Sequence, residues 1–460
     1  MPKPVPNGSQ IAFFADMRSD PVSSKDVVNP NLARAIGRWS LLALMVNLTI
    51  GAGIFGLPAA AAGILGRQSP FAYLIAAAGM AVIAACVAEV ASRFQQTGGP
   101  YLYAKVAFGR FTGLLTGWLL WLTRVSSAAA VANVFIDYLS GLWPQAKEPF
   151  PRLAIITILV SGLALINIRG VKMGTHVSNF FTVAKIVPLL ILVAAGLFFI
   201  HIHGSPFLAV VEFHPAGSWL SAVLLLIYAF TGFESALIPA GEVKNPARDI
   251  PIALLAALPI VTAIYFLVQV VVVHTVTNSA QTARPLSAAA YVLGGGTMAT
   301  ILVLGALLST FGSLAANMIA NPRVTFAFAE QGDFPRWFAA IHRRYRTPYL
   351  SIIAFAVLLW ALAVMGTFRW NATLSAISRL FAYIIVCAAL PMLRKKFPGQ
   401  EGFHLAGGVA FAAVGILFAL VLASRMGRAE LIALAITAAL AFLNWLAVRG
   451  TAPPKTILSE

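Results

Sequence analysis

Backbone is the first group in this chain that could do chemistry. Gly51-Ala52-Gly53 lies in the middle of the apolar run 40–64, with Pro58 in the same run. Thr231-Gly232 lies in the middle of the run 218–241, with Glu234 beside it and Pro239 in the next turn. Glycine costs about 1 kcal/mol against alanine inside a helix, and proline about 3. A helix is therefore expected to open at both places. Opening exposes N–H groups at the start of the outgoing half and carbonyls at the end of the incoming one. In hydrocarbon each of these needs a partner, so such a break is tolerated only where protein or a water-filled cavity surrounds it. Both breaks are thus candidate binding sites before any side chain is considered.

Cations inside apolar runs are the second group. Lys185, in FFTVAKIVPLLILV, lies six residues past Asn179, about 9 Å at helical rise, which is far for an ammonium to reach the interface. A charge at that depth costs several kcal/mol and usually faces the protein interior. Burial disfavours the ammonium form, so Lys185 is a candidate to exchange a proton. Arg124, in WLLWLTRVSSAAAVA, has two readings. It either faces the site, holding a carboxylate or repelling cations, or it is ion-paired with Glu234 or Glu89, because an unpaired buried guanidinium is costly. Arg379 opens its run near the outer end and is expected to reach the interface.

The elements that position these residues follow from composition. The chain has 460 residues, 60% hydrophobic and 10% charged, too few charges for a soluble surface of this size. Runs near the ~20 residues that span a bilayer recur at 40–64, 71–92, 112–139, 152–168, 179–201, 218–241, 251–274, 298–320, 349–366, 373–391, 404–424 and 430–448. The expected fold class is an all-α integral membrane protein of twelve transmembrane helices. A net charge of +17 raises the question of a nucleic-acid partner. With the N-terminus inside, however, the 32 Lys and Arg fall 22 inside, 7 outside and 3 within runs. That bias is the positive-inside pattern, so both termini are expected in the cytoplasm and no nucleic-acid partner is called for.

The two breaks fall in runs one and six, five helices apart, so two five-helix halves would have opposite orientation in the membrane. Interrupted segments at matching positions of two halves are the best sequence pointer to an inverted-repeat transporter. The expected organisation is a cytoplasmic tail over 1–39, a first repeat over 40–201, a second over 218–391 and peripheral helices 11 and 12 over 404–449. The connection 275–297 is expected to form a surface helix ended by Gly294-Gly295-Gly296, and 321–348 to lie along the inner interface.

Three stretches then carry a family likeness. TIGAGIFGLPAAAAG at 49–63, YAFTGFESALIPAGEVKNPARDIP at 228–251 and ANPRVTFAFAEQGDFPRWFAAIHRRYRTP at 320–348 resemble the amino acid–polyamine–organocation (APC) superfamily of permeases. PLSAAAYVLGG at 285–295 adds weaker support, and Asn321-Pro322 departs from the small polar residue usual before Arg323. The resemblance implies the leucine-transporter-like fold, with discontinuous helices 1 and 6 in a 5+5 inverted repeat plus two extra helices. It also implies amino acid transport across a cell membrane by alternating access. Outgoing N–H groups with a positive helix end suit an α-carboxylate; incoming carbonyls suit an α-ammonium. The carboxylate side is assigned to Thr49, Ile50, Gly51, Ala52 and Gly53, and the ammonium side to Tyr228, Ala229, Phe230 and Thr231. Phe233 is a lining or gating candidate, together with the side chains of Tyr228 and Phe230. Glu234 resembles a recurrent glutamate with a gating or helix-anchoring role. By the same resemblance Lys185 takes the place of a sodium ion and couples transport to protons. Ser309 and Ser313 would be the hydroxyl ligands of the competing sodium reading.

Other classes find little support. Cys86 and Cys387 both lie in apolar runs, which leaves no disulfide framework or thiolate metal site, and no cofactor is expected. The seven histidines lie at run ends or in loops, with no constellation of a membrane enzyme. Glu242, Lys244, Arg248 and Asp249 form a two-sign corner at the inner face that could help to close an inner gate. The expected function is proton-coupled amino acid symport; the alternative is a sodium-independent amino acid or polyamine exchanger.

Overall fold

The computed structural model describes residues 37–51, 53–94, 98–170, 175–203, 213–237, 243–398 and 402–449, without the side chains of 175–185 and Ala236. Helix occupies every one of the twelve apolar runs. Run one is α1 (Arg38–Thr49) and α2 (Gly53–Leu65), followed by α3 (Ser69–Ser92), the short α4 (Gly99–Phe108), α5 (Arg110–Leu139), α6 (Pro149–Ile168) and α7 (Thr175–Ile202). Run six is α8 (Ala216–Ile227), a 3₁₀ turn at Tyr228–Phe230 and α9 (Phe233–Ala236). Then come α10 (Pro246–Thr275), α11 (Pro285–Glu330), α12 (Tyr349–Met365), α13 (Phe368–Lys396), α14 (Gly408–Ala423) and α15 (Arg428–Val448). Among the described residues, eight helical stretches are long and apolar enough to cross a membrane, and Ile186–Ile202, Tyr349–Met365 and Gly408–Ala423 are shorter apolar helices. This is a multi-pass membrane protein.

Local sequence explains the boundaries. Pro149, Pro246 and Pro285 each open a helix, where a missing N–H costs nothing. Arg394, Lys395 and Lys396 close α13, favourably placed against the negative end of its dipole. Gly294 and Gly295 leave helical geometry within α11, Gly295 with φ +70°, so the expected surface helix ends where the glycines place it. The helix after that kink runs ten residues past the expected end, to Glu330, so the first third of the 321–348 connection is helix rather than loop. The 3₁₀ turn Arg336–Ala339 follows, with Trp337 49% exposed and Phe338 buried. Hydropathy carries no mark of α4, which is too short to span and is bounded by Gly98 and Gly109, both at positive φ.

The core lies around α5, α13, α3 and α10. The most apolar stretch of α5 is 72% buried, against 22% in α6 and in α15, which places the last two at the rim. Polar contacts sort the helix ends onto two faces. On one, Arg38 pairs with Asp249 at 3.0 Å and Arg394 grips Glu89 through Nε at 2.8 Å and Nη2 at 2.7 Å. On the same face Ser92 accepts from the Phe403 N–H at 3.0 Å, and Lys396 donates to the Val106 and Ala107 carbonyls at 2.9 and 3.0 Å. On the other, Lys147 pairs with Asp137 at 2.8 Å, and Arg152 donates to the carbonyls of Val364, Ala363 and Gly366. The ends of α3, α4 and α13 and the starts of α1, α5 and α10 thus share one face, which carries the basic residues of the charge bias. Of the expected corner there, Asp249 pairs with Arg38, while Lys244 and Arg248 are exposed and Glu242 lies outside the described residues.

Candidate functional site

The break in the first run is confined to about three residues. Helix α1 ends at Thr49, Ile50 leaves helical geometry at ψ 76°, and α2 begins at Gly53 and continues through Pro58. Nearby groups satisfy the opened backbone. The Thr49 carbonyl accepts from the Gly51 N–H at 2.8 Å and the Tyr265 hydroxyl at 3.3 Å. The Ile50 N–H donates to the Val46 carbonyl at 2.8 Å. Two of the N–H groups expected to face a carboxylate, those of Ile50 and Gly51, are therefore already used. Among the described residues, the donors that remain are those of the first turn of α2, from Gly53 on, which have no intrahelical acceptor and no acidic side chain among them.

The second break is a left-handed corner. Thr231 is extended and Gly232 has φ +115°, after which α9 starts. The Tyr228 carbonyl accepts from the Thr231 hydroxyl at 2.6 Å. The two breaks interlock. A Cβ on Gly232 would stand 2.5 Å from the Leu48 carbonyl oxygen, and one on Gly53 would stand 3.1 Å from the Tyr228 ring. Each glycine lets the other break approach.

Between them lies a cavity of about 400 Å³. Thr49, Gly51 and Gly53 line it from one break and Tyr228, Thr231 and Gly232 from the other. Helix α5 contributes Arg124 and Ser127, α10 Tyr265, α11 Ser309, Ser313, Asn317 and Asn321, and α13 Arg379. The Tyr228 hydroxyl lies 3.2 Å from that of Ser127. The α11 residues recur every four positions, which makes one polar stripe along an apolar helix. Asn317 donates to the Ser313 carbonyl at 2.8 Å, Asn321 to Asn317 Oδ1 at 2.9 Å, and Arg124 Nη1 to Asn321 Oδ1 at 3.0 Å. Among the described residues Ser309 Oγ is buried without a hydrogen-bond partner. Arg124 and Asn321 also line a second cavity of about 250 Å³, reaching toward Tyr101 and Phe328 on the basic face. Their hydrogen bond therefore stands between the two chambers.

Several expected residues do not line the central cavity. Ile50, Ala229 and Phe230 are buried in packing, Phe230 against Tyr265 at 6.0 Å between ring centres. Phe233 stacks on Tyr383 at 5.9 Å. Ala52 and the Lys185 side chain lie outside the described residues; Lys185 falls on α7.

The buried charges are paired differently from the expectation. Glu234 Oε1 lies 2.9 Å from Nε of Arg379, with side-chain exposures of 4% and 6%. The N–H does not point along that line, so the contact is an ion pair rather than an aligned hydrogen bond. Glu234 Oε2 accepts from the Gly232 N–H at 3.0 Å and the Tyr383 hydroxyl at 3.1 Å. This anchors α9 to α13. Arg379 is accordingly a buried cavity residue and not an interfacial one. Its helix starts at Phe368, so eleven residues, about 16 Å at helical rise, carry it to mid-membrane. Glu89 is held by Arg394 and by Arg93 at 2.9 Å. Both proposed partners of Arg124 are thus taken, and Arg124 faces the cavity.

Below the second cavity, Asp333 ties four elements together. It accepts from Tyr101, from Lys105 at 2.6 Å and from Arg110 Nε at 2.8 Å. Asn444 of α15 donates to its carbonyl at 2.8 Å. Burial alone would raise the Asp333 carboxyl; the hydrogen bonds from Lys105 and Tyr101, with Arg110 beside them, outweigh it and hold the group below the usual carboxylate range.

The chain is similar over its length to known transport proteins. The family described as amino acid permease matches residues 36–442. An uncharacterized transporter of Mycobacterium tuberculosis is 30% identical over 375 residues, 80% of this chain and 82% of that protein. The branched-chain amino acid permease of Bacillus subtilis is 26% identical over 438 residues, 91% and 92% of the two chains. The serine/threonine exchanger of the same organism is 28% identical over 380 residues, 80% and 85%.

Proposed function

Because this chain belongs to the amino acid permease family of the APC superfamily, we propose that it moves amino acids by alternating access as a proton-coupled symporter of the cell membrane. The observation that carries the reading is the 400 Å³ cavity formed where two helix breaks meet. Its size is in the range of small-molecule sites, and it offers a helix start at Gly53 for the substrate carboxylate. The ammonium side falls to the backbone of Tyr228 and Thr231, the two of its expected residues that line the cavity, with the Tyr228 ring as lining. The scaffold we propose is the twelve-span, leucine-transporter-like arrangement of repeats over 40–201 and 218–391, with α14 and α15 outside it and both termini cytoplasmic. The hydrogen bond from Arg124 to Asn321 is then part of the wall that must part for release to the inside, and Glu234 holds α9 while it does.

Lys185 is the proposed proton carrier. Reconstituted protein is expected to accumulate an amino acid faster with an acidic exterior, and Lys185→Ala to abolish that pH dependence while the protein still folds. Proton-driven accumulation retained in Lys185→Ala would refute the coupling assignment. The exchanger remains a second reading, favoured by the similarity to the Bacillus subtilis serine/threonine exchanger. Uptake that ignores pH and sodium but requires amino acid inside the vesicle would establish it instead.

A further inference from the structure

The charges around the central cavity do not balance. Arg124 and Arg379 both line it, and among the described residues Glu234 alone answers them. Glu234 acts on Arg124 only at a distance, since its Oε1 faces Arg379 and its Oε2 accepts from Gly232 and Tyr383. Among the described residues no carboxylate lies within ion-pair distance of Arg124, whose partner is the neutral Asn321. The unused capacity of the two guanidiniums is donor capacity alone. Arg379 is 95% buried, and among the described residues its Nη1 has no partner, nor has the Ser309 hydroxyl. A zwitterion adds no net charge and would leave the excess positive charge in a low-dielectric site, where it is costly.

We infer that this site selects an amino acid whose side chain carries a second carboxylate, with Arg124 and Arg379 Nη1 as its donors. The inference rests on the reading of this cavity as the substrate site. The α-carboxylate and α-ammonium engage the two breaks, and the side-chain carboxylate supplies the missing negative charge. Guanidinium suits that task because its planar fork matches a carboxylate.

The test uses the full-length protein in detergent, in buffer with gluconate as the only anion, with binding read by thermal shift and isothermal titration. L-glutamate or L-aspartate is expected to bind on the order of 30-fold tighter than L-glutamine or L-asparagine. Arg124→Gln is expected to bring the acid-to-amide ratio close to one, and Arg124→Lys to retain part of it. The wild-type ratio decides the question even where Arg124→Gln does not fold. Neutral amino acids binding as well as or better than the acids would overturn the charge assignment and leave the transport reading standing. Failure of every amino acid to bind would overturn the transport reading and this inference together. If added chloride stabilised the protein and glutamate bound no tighter than chloride, the anion would be inorganic and the inference would fall.

Discussion

Glu234→Gln is the substitution that tests the buried charge network most directly. It keeps the shape of the side chain and removes the only described carboxylate that faces Arg379. Breaking a buried ion pair from one side costs about 3–5 kcal/mol, because the other charge is left uncompensated. The amide must also serve the Gly232 N–H and the Tyr383 hydroxyl, which one carboxylate oxygen now serves together at 3.0 and 3.1 Å. Arg379→Gln leaves a milder defect, since those two donors continue to stabilise the Glu234 carboxylate. The expected order of destabilisation is therefore Glu234→Gln above Arg379→Gln. The double variant strands no charge, so it should recover about 2–3 kcal/mol relative to the sum of the single changes. Denaturant and thermal unfolding of the four proteins in one detergent provide the double-mutant cycle. Additivity within about 0.5 kcal/mol, or the opposite order of the single variants, would refute the network as drawn.

Two further outcomes follow from the same geometry. Gly232→Ala combines a left-handed backbone with a Cβ placed 2.5 Å from the Leu48 carbonyl, so strain of about 1–3 kcal/mol and a displaced first break are expected. Gly63→Ala, with nothing nearer than the Ala280 Cβ at 3.9 Å, is the control; equal melting temperatures and equal amino acid affinities for the two would contradict the interlock. Asp333→Asn should lower the melting temperature at pH 7. The folded Asp333 carboxyl titrates below its ordinary value, so its stabilisation is complete above about pH 4 and is lost as the pH falls through the folded value. The gap between wild type and Asp333→Asn should therefore narrow below about pH 4, and a gap constant from pH 7 to pH 3 would contradict the assignment.

The breaks were legible in the sequence because their cause is local. Gly51-Ala52-Gly53 and Thr231-Gly232 interrupt helices through backbone propensity alone, and a window of ten residues contains the whole reason. The helix end at the Gly294-Gly295 pair was legible on the same grounds. Ser309 and Ser313 were visible as polar residues four apart, and carrying that spacing on to Asn317 and Asn321 would have marked the entire cavity stripe.

The partners of the charges have no local cause. Glu234 could have paired with either intramembrane arginine, and the choice depends on how α5 and α13 are rotated about their axes and on where α13 begins. A start five residues earlier than the apolar run suggested, at Phe368 instead of 373, moves Arg379 by about 7.5 Å, from near the interface to the middle of the protein. There it claims the carboxylate, and Arg124 is left to the cavity. A small error in a helix boundary thus put Arg379 at the interface and left Glu234 open as a partner of Arg124. Hydropathy cannot correct it, because the polar residues Arg369, Asn371 and Ser375 that open α13 depress the apolar signal while packing or capping still holds them in the helix. Asn371 and Ser375 are buried, Asn371 donating to the Leu362 carbonyl at 3.0 Å and Ser375 to the Thr123 carbonyl at 3.1 Å. Tertiary partners pay for the polar start of this helix, so only the folded arrangement reveals it.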